Sequence, residues 1–273
     1  MSRRVTGQRI KGKEPILQKI VFELKYRYGF TYLDKCGRTV NTIMREHPEW
    51  DLATDQPNPQ NAPLVSLRNT CLFNFNIRKY DLSLERPVGE NPLSDDEVEV
   101  FFEQVDQMSA IVIEQLGLNE FTRIGFRAWY LFGCDSRDDA EAWLRDLGCY
   151  SVSSQMINAF DGELDGVGVA VVIRATDRQF RVGFNGVERQ ALIDVGQGML
   201  HVRPRDLSQG QRKAFLEQER TKARLRRNPE FAAMIDIDAF QEDPEEVDPR
   251  DFAETSYRRF LQQLERAVRE ENE

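Results

Sequence analysis

Residues 20–134 constrain the chain most, because their hydrophobic period changes from two to 3.6 and back, twice over. Ile20, Phe22, Leu24, Tyr26 and Tyr28 alternate with Val21, Glu23, Lys25 and Arg27. That is the pattern of a half-buried strand. Thr31, with Asp34 three residues on, stands where a helix cap belongs, and Leu33, Cys36, Val40, Ile43 and Met44 share one helical face. His47-Pro48 ends that helix, since proline drives the preceding residue out of the α region. Residues 51–63, rich in proline and Asn/Asp, read as a loop. Two strands are expected at 64–68 and 71–84, joined at Asn69-Thr70. In the second, Cys71, Phe73, Phe75 and Ile77 oppose Leu72, Asn74, Asn76 and Arg78.

Ser94-Asp95-Asp96-Glu97 forms a capping box with extra acid at the positive end of the helix dipole. Val98, Phe101, Phe102, Val105, Met108, Val112 and Leu116 follow at helical spacing, and Gly117 supplies the terminating residue. Residues 121–132 close the unit as a strand. The order βαββαβ predicts an α+β, ferredoxin-like antiparallel sheet with both helices on one face. Its first and third strands would be central, and the fourth would flank the first.

The expected organisation is a basic tail over 1–14, a βαββαβ domain over 15–134, and a second α+β unit over 135–273. In that unit Ser136 caps a short helix with Ala140, Trp143, Leu144 and Leu147 inward, and 151–165 read as irregular. Strands at 167–173 and 179–187 flank Thr176-Asp177, and a strand pair is expected within 191–202. A basic helix runs from Ser208 to Asn228-Pro229, a strand spans 231–240, and Asp248-Pro249 opens a last helix. Phe252, Tyr257, Phe260, Leu261, Leu264 and Val268 give that helix its apolar stripe. Arg123-Ile124-Gly125-Phe126 and Arg181-Val182-Gly183-Phe184 share a local pattern, which a degenerate duplication or chance would equally explain.

Composition narrows the function classes. A net charge of −9 argues against binding nucleic acid through the overall field, so such binding would need a local basic patch. Tight binding of generic duplex DNA is not expected. The four cysteines form no C-x-x-C pair and read as reduced, mostly buried thiols. Met1-Ser2-Arg3-Arg4 leads into no apolar h-region, and no run approaches the ~20 apolar residues of a membrane span. A soluble, cytoplasmic protein without membrane contact is the expectation. There is no Walker loop, no G-x-G-x-x-G and no G-x-S-x-G, and two histidines, His47 and His201, preclude a histidine-based metal cluster.

If the helices cover the face bearing Phe22 and Phe73, the opposite face gathers Lys25, Arg27, Asn76, Arg78, Arg123 and Arg127. Arginine and asparagine in such a group suit an anion or a nucleic-acid strand. Trp129 is the one aromatic expected there for stacking. The competing reading packs the second half on this face and pairs Glu23 with Arg123 or Arg127. Asp236 and Asp238, two apart in Met234-Ile235-Asp236-Ile237-Asp238, would point to one side of a strand and could hold Mg²⁺. Glu23-Leu24-Lys25 has the E-x-K spacing of metal-dependent nucleases, but the only acid upstream is Glu14. The helix of residues 208–227 carries Arg212, Lys213, Arg220, Lys222, Arg224, Arg226 and Arg227. It could meet nucleic acid or pair with the acidic run Glu242, Asp243, Glu245, Glu246 and Asp248. The basic tail, with Arg3, Arg4, Arg9, Lys11 and Lys13, is either solvated or an arm for phosphate or a partner.

Three motifs carry a resemblance: Glu23 on the opening strand, R-h-G-h-R at residues 123–127, and h-D-h-D at 235–238 before the C-terminal helix. In that order the chain resembles a sporadically distributed, uncharacterised family of bacterial proteins of about this length. It departs where that family tends to have Tyr-Ile-Asn, having Ala128-Trp129-Tyr130 instead. The resemblance implies no activity, and a patchy distribution implies an accessory or defence role. The expectation is a non-enzymatic cytoplasmic protein, without a cofactor, that binds a protein partner or an anionic ligand. The alternative is a metal-dependent phosphoesterase or nuclease-type enzyme using Asp236 and Asp238. Whether Asp236 and Arg123 face one cleft separates the two.

Overall fold

The alternation of apolar and polar residues becomes, in the computed structural model, the two faces of one sheet. The structure describes residues 10–54, 62–86, 91–161, 166–188, 220 and 230–268. Nine strands, all neighbours antiparallel, form a single layer. They are β1 (Ile16–Tyr26), β2 (Trp50–Leu52), β3 (Leu64–Ser66), β4 (Leu72–Phe75), β5 (Lys79–Glu85), β6 (Phe121–Cys134), β7 (Gly168–Arg174), β8 (Gln179–Glu188) and β9 (Phe231–Glu242). Their order is β2-β3-β4-β5-β1-β6-β9-β8-β7. The helices are α1 (Thr31–Glu46), α2 (Asp95–Leu116), α3 (Arg137–Asp146), α4 (Ser154–Ala159) and α5 (Pro249–Val268).

The α+β class and the antiparallel sheet match the expectation, and the extent of the sheet does not. A four-stranded unit was expected; β9 instead pairs with β6 over its whole length from Phe231 to Glu242, so both halves of the chain build one sheet. The expected single strand over 71–84 is two strands. Asn76 breaks it: its Oδ1 accepts from the backbone N–H groups of Arg78 and Lys79 and closes the β4–β5 turn. The expected loop over 51–63 begins inside β2, whose Trp50 is fully buried. The segment expected to be irregular contains α4. The strand pair in 191–202 and the basic helix of 208–227 lie outside the described residues apart from Arg220.

One face of the sheet is covered by helices, and there the main core sits, while a small second cluster of Leu131, Ala232 and Met234 is buried on the other face. Ile20, Phe22 and Leu24 of β1, Phe126 and Tyr130 of β6, and Ile235 and Ile237 of β9 all point to it. The ring of Phe102 on α2 meets Phe126 at 6.0 Å, and Phe260 on α5 stacks on Phe126 at 5.7 Å. α2 has the expected capping box at Ser94 and Glu97 and ends at Gly117 in the left-handed region, φ 64°. Asp248 caps α5 through Asp251 N–H at 2.9 Å.

α1 presents part of the expected face, since Ile43 is buried and Cys36 and Val40 pack against the core, but not all of it. Its N-cap is Phe30, not Thr31, and it buries Tyr32, Thr39 and Ile43 while Leu33 is exposed. The rings of Tyr32 and Phe75 meet edge to face at 5.2 Å, which adds Tyr32 to the buried face. β1 starts earlier than expected because a register shift between Leu17 and Lys19 buries two residues in succession, Leu17 and Gln18. Tyr28 stands outside the strand with φ 53°.

Candidate functional site

The other face of the sheet is assembled by the residues that alternate with the core. β6 contributes Arg123, Gly125 and Arg127; β1 contributes Glu23 and Lys25; β5 contributes Lys79 and Asp81; β9 contributes Asp236 and Asp238. Antiparallel pairing sets Glu23 opposite Gly125 and Asp81, and Arg127 opposite Asp238. Most of these side chains surround a shallow depression of about 390 Å³.

A polar ladder crosses five strands here. Asn74 Nδ2 donates to Asp81 Oδ2 at 3.1 Å, and Lys79 Nζ reaches Asp81 at 3.0 Å and Glu23 at 2.8 Å. Arg123 Nη1 donates to Glu23 at 2.6 Å, while its Nη2 spans both oxygens of Asp238 at 3.0 and 2.8 Å. Arg127 forms a two-nitrogen fork, Nε and Nη2 to the two oxygens of Asp236 at 2.7 and 2.5 Å. Gly125 makes the Arg123 contacts feasible. A Cβ there would stand 2.6 Å from Arg123 Nη1, so the guanidinium lies across bare backbone.

The electrostatics follow from this packing. Burial opposes ionisation of Glu23, but the hydrogen bond from Lys79 and the charges of Lys79, Arg123 and Lys25 outweigh it and hold the carboxyl below its ordinary value. Burial would lower Lys79, and Asp81 and Glu23 instead raise it. Burial raises Asp238 against the pull of Arg123 and Arg127. The charges are also sorted by depth. Glu23, Asp81, Asp236, Asp238 and Arg123 keep 13–19% of their side-chain area exposed, whereas Lys25, Lys79 and Arg127 keep 36–43%. The acids and the Arg123 guanidinium lie in the floor, and the tips of Lys25, Lys79 and Arg127 rise above it.

The six basic and amide residues expected together do not all meet. Lys25, Arg123 and Arg127 line the depression. Arg27 pairs at its margin with Asp243 at 3.1 Å, both side chains largely exposed. Asn76 and Arg78 sit in the β4–β5 turn, with the Asn76 side-chain carbonyl taken up by backbone N–H groups. Asp236 and Asp238 do share a face with Arg123, each already gripped by an arginine. Among the described residues no group of three or more His, Cys, Asp or Glu is placed to hold a metal ion. Trp129 does lie on the open face, with Lys19 Nζ 4.6 Å and the Arg127 guanidinium 5.3 Å from its ring.

Lys79 and Asp81 were missed in the sequence. Their signal is a change of parity: buried Cys71, Phe73 and Phe75 are odd, and buried Tyr80, Leu82 and Leu84 are even. Such a switch requires a turn between them and puts Lys79 and Asp81 on the open face.

All four cysteines are free thiols; Cys71 is buried and the others half-buried. Burial raises the thiols of Cys71 and Cys134, and pushes Cys149 up to about 11. No helix among the described residues is long and apolar enough to cross a membrane. The three motifs that carry the bacterial-family resemblance converge on adjacent strands: Glu23 on β1, the paired arginines on β6 and the paired aspartates on β9. No protein-family model, no curated protein and no solved structure matches the chain.

Proposed function

We propose that the chain is a non-enzymatic binding protein whose open sheet face receives an acidic segment of a protein partner. The observation that carries this reading is the sorting of charge by depth. The acids in the floor balance the network, and Lys25, Lys79 and Arg127 present positive charge to anything that lands on it. Arg181 extends the same surface, since it stands opposite Asp238 in the β8–β9 register and is exposed. Small-molecule sites are typically enclosed and mostly apolar. A shallow charged depression supports a macromolecular partner better. The family resemblance adds an accessory or defence setting, and a cytoplasmic location belongs to the same reading.

The test is titration of an oligoglutamate peptide into wild type and into Lys25→Gln/Arg181→Gln, at low and at physiological salt. Binding that falls with salt and is at least ~10-fold weaker in the variant is expected, because screened surface charge sets such affinity. Absence of binding at low salt, or equal affinity in the variant, would overturn the reading. Inorganic phosphate as sole ligand would shift it to a small anion.

A second reading, a metal-dependent phosphoesterase, is favoured by one observation: Asp236 and Asp238 share a face with two arginines. Metal binding there requires both carboxylates to leave their guanidinium partners. Calorimetric titration with Mg²⁺ decides it, since heat that disappears in Asp238→Asn would support this reading over the first.

A further inference from the structure

The sheet ends differently at its two edges. At one end β2 has three residues, Trp50–Leu52, with Asp51 exposed. Short strands and charge are the devices that keep an edge from pairing. At the other end β7 has seven residues, Gly-Val-Ala-Val-Val-Ile-Arg, without proline or lysine. Val171, Val172 and Ile173 are 38%, 62% and 53% exposed. Among the described residues β7 pairs with β8 alone.

The free backbone groups of β7 can be assigned. Ala175 N–H donates to Arg178 O at 2.9 Å and closes the β7–β8 hairpin. Hydrogen-bonded pairs alternate along an antiparallel ladder. In this register Ile173, Val171 and Val169 therefore aim their N–H and C=O groups at β8. Gly168, Ala170, Val172 and Arg174 aim theirs outward.

We propose that β7 is a self-pairing edge, and that two copies of the chain join antiparallel about a two-fold axis at Val171. That register uses every outward group of the strand. The hydrogen-bonded pairs are Gly168 with Arg174, Ala170 with Val172, and their symmetry mates. The side chains match as well. Val171 meets its own copy, Val169 meets Ile173, the larger Val172 meets the smaller Ala170, and Arg174 lies over a residue with no side chain. The strand's one charge stands at its end, so the two arginines are roughly 20 Å apart, six residues of strand rise. A closed, isologous pair results, and two nine-stranded sheets become one continuous sheet. An unrelated extended peptide would have no reason to match this centre of symmetry.

The experiment is light scattering of the full chain over a micromolar concentration series. Wild type is expected to be dimeric. Val171→Lys and Val171→Glu should each be monomeric, because like charges would face each other directly across the axis. An equimolar mixture should restore the dimer. Val172→Pro removes an outward N–H and none bonded to β8, so it should weaken dimerisation at least ~10-fold while its melting temperature matches that of wild type diluted to the monomer. Val171→Pro removes an N–H bonded to β8 and should lower that temperature. A monomeric wild type, a dimer that persists in Val172→Pro, or a failure of the mixture to re-associate would each overturn the proposal. If the Val171 charge variants do not fold, Val172→Pro decides alone.

Discussion

The covered and open faces of the sheet are made by the same strands one residue apart, yet different forces hold them. On β6, Ile124, Phe126, Ala128, Tyr130 and Phe132 are buried on the covered face. Arg123 and Arg127 on the open face are held by ion pairs. Burial on the covered face is additive and undirected, about 25 cal/mol per Å² of apolar area. On the open face each contact needs a particular partner at a particular angle, and most of the gross attraction is offset by desolvation. The difference gives the covered face undirected stability and the open face contacts that depend on particular partners.

The strongest way to break that division is Phe102→Asp. Phe102 is 4% exposed and packs on Phe126 and Tyr257. Losing a buried Phe costs about 3–5 kcal/mol, and an unpaired buried charge adds several more. Total stability is typically ~5–15 kcal/mol, so no soluble folded protein is expected. A soluble variant that melts cooperatively near wild type would remove α2 from the core.

Arg123→Gln comes next. It leaves Asp238 without its guanidinium partner and Glu23 without one of its cations. Breaking a buried pair costs about 3–5 kcal/mol, which corresponds to a fall of very roughly 10 °C. A melting temperature unchanged within two or so degrees would make the arginine a spectator, free for a ligand.

Acid should act through Glu23. Its carboxyl is held below its ordinary 4.5, so its stabilisation is complete above that pH and is lost as pH falls through the lower folded value. Asp238, raised by burial above its ordinary 3.8, works in the opposite sense. The acid limb of a melting-versus-pH curve should therefore be shallower in Glu23→Gln than in wild type. Equal slopes would mean the Glu23 contacts do not form.

The smallest effect is expected at Arg27, whose pair with Asp243 is 54% and 68% exposed. Arg27→Gln should change stability by less than about 1 kcal/mol. A large loss would mean that ion pairs hold the margin of the face as firmly as its centre.

Much of this was legible in the sequence, for identifiable reasons. The capping box at Ser94 and the glycine at 117 act within a few residues, so α2 could be placed closely. Strand alternation told which residues of β1, β6 and β9 share a face. Turns that rest on a single side chain were hidden. Asn76 looks like one more alternating residue until its bonds to Arg78 and Lys79 are seen. The pairing of β6 with β9 was hidden too, because nothing within either strand names its partner across more than a hundred residues. Once they pair, Arg127 opposite Asp238 and Trp129 opposite Asp236 turn two separate candidate sites into one. The E-x-K and D-x-D patterns, each met singly in the sequence, supply acids to one lattice with Arg123 and Arg127.

The account depends most directly on the bond between Arg123 and Asp238, one of two arginine–aspartate links that join the two halves of the chain on the open face. Melting of Arg123→Gln, Asp238→Asn and the double variant tests it in one cycle. The account predicts a coupling of at least ~1 kcal/mol, with the double variant melting above Arg123→Gln alone, because removing the acid relieves the charge left unpaired. Strict additivity of the two losses would contradict it.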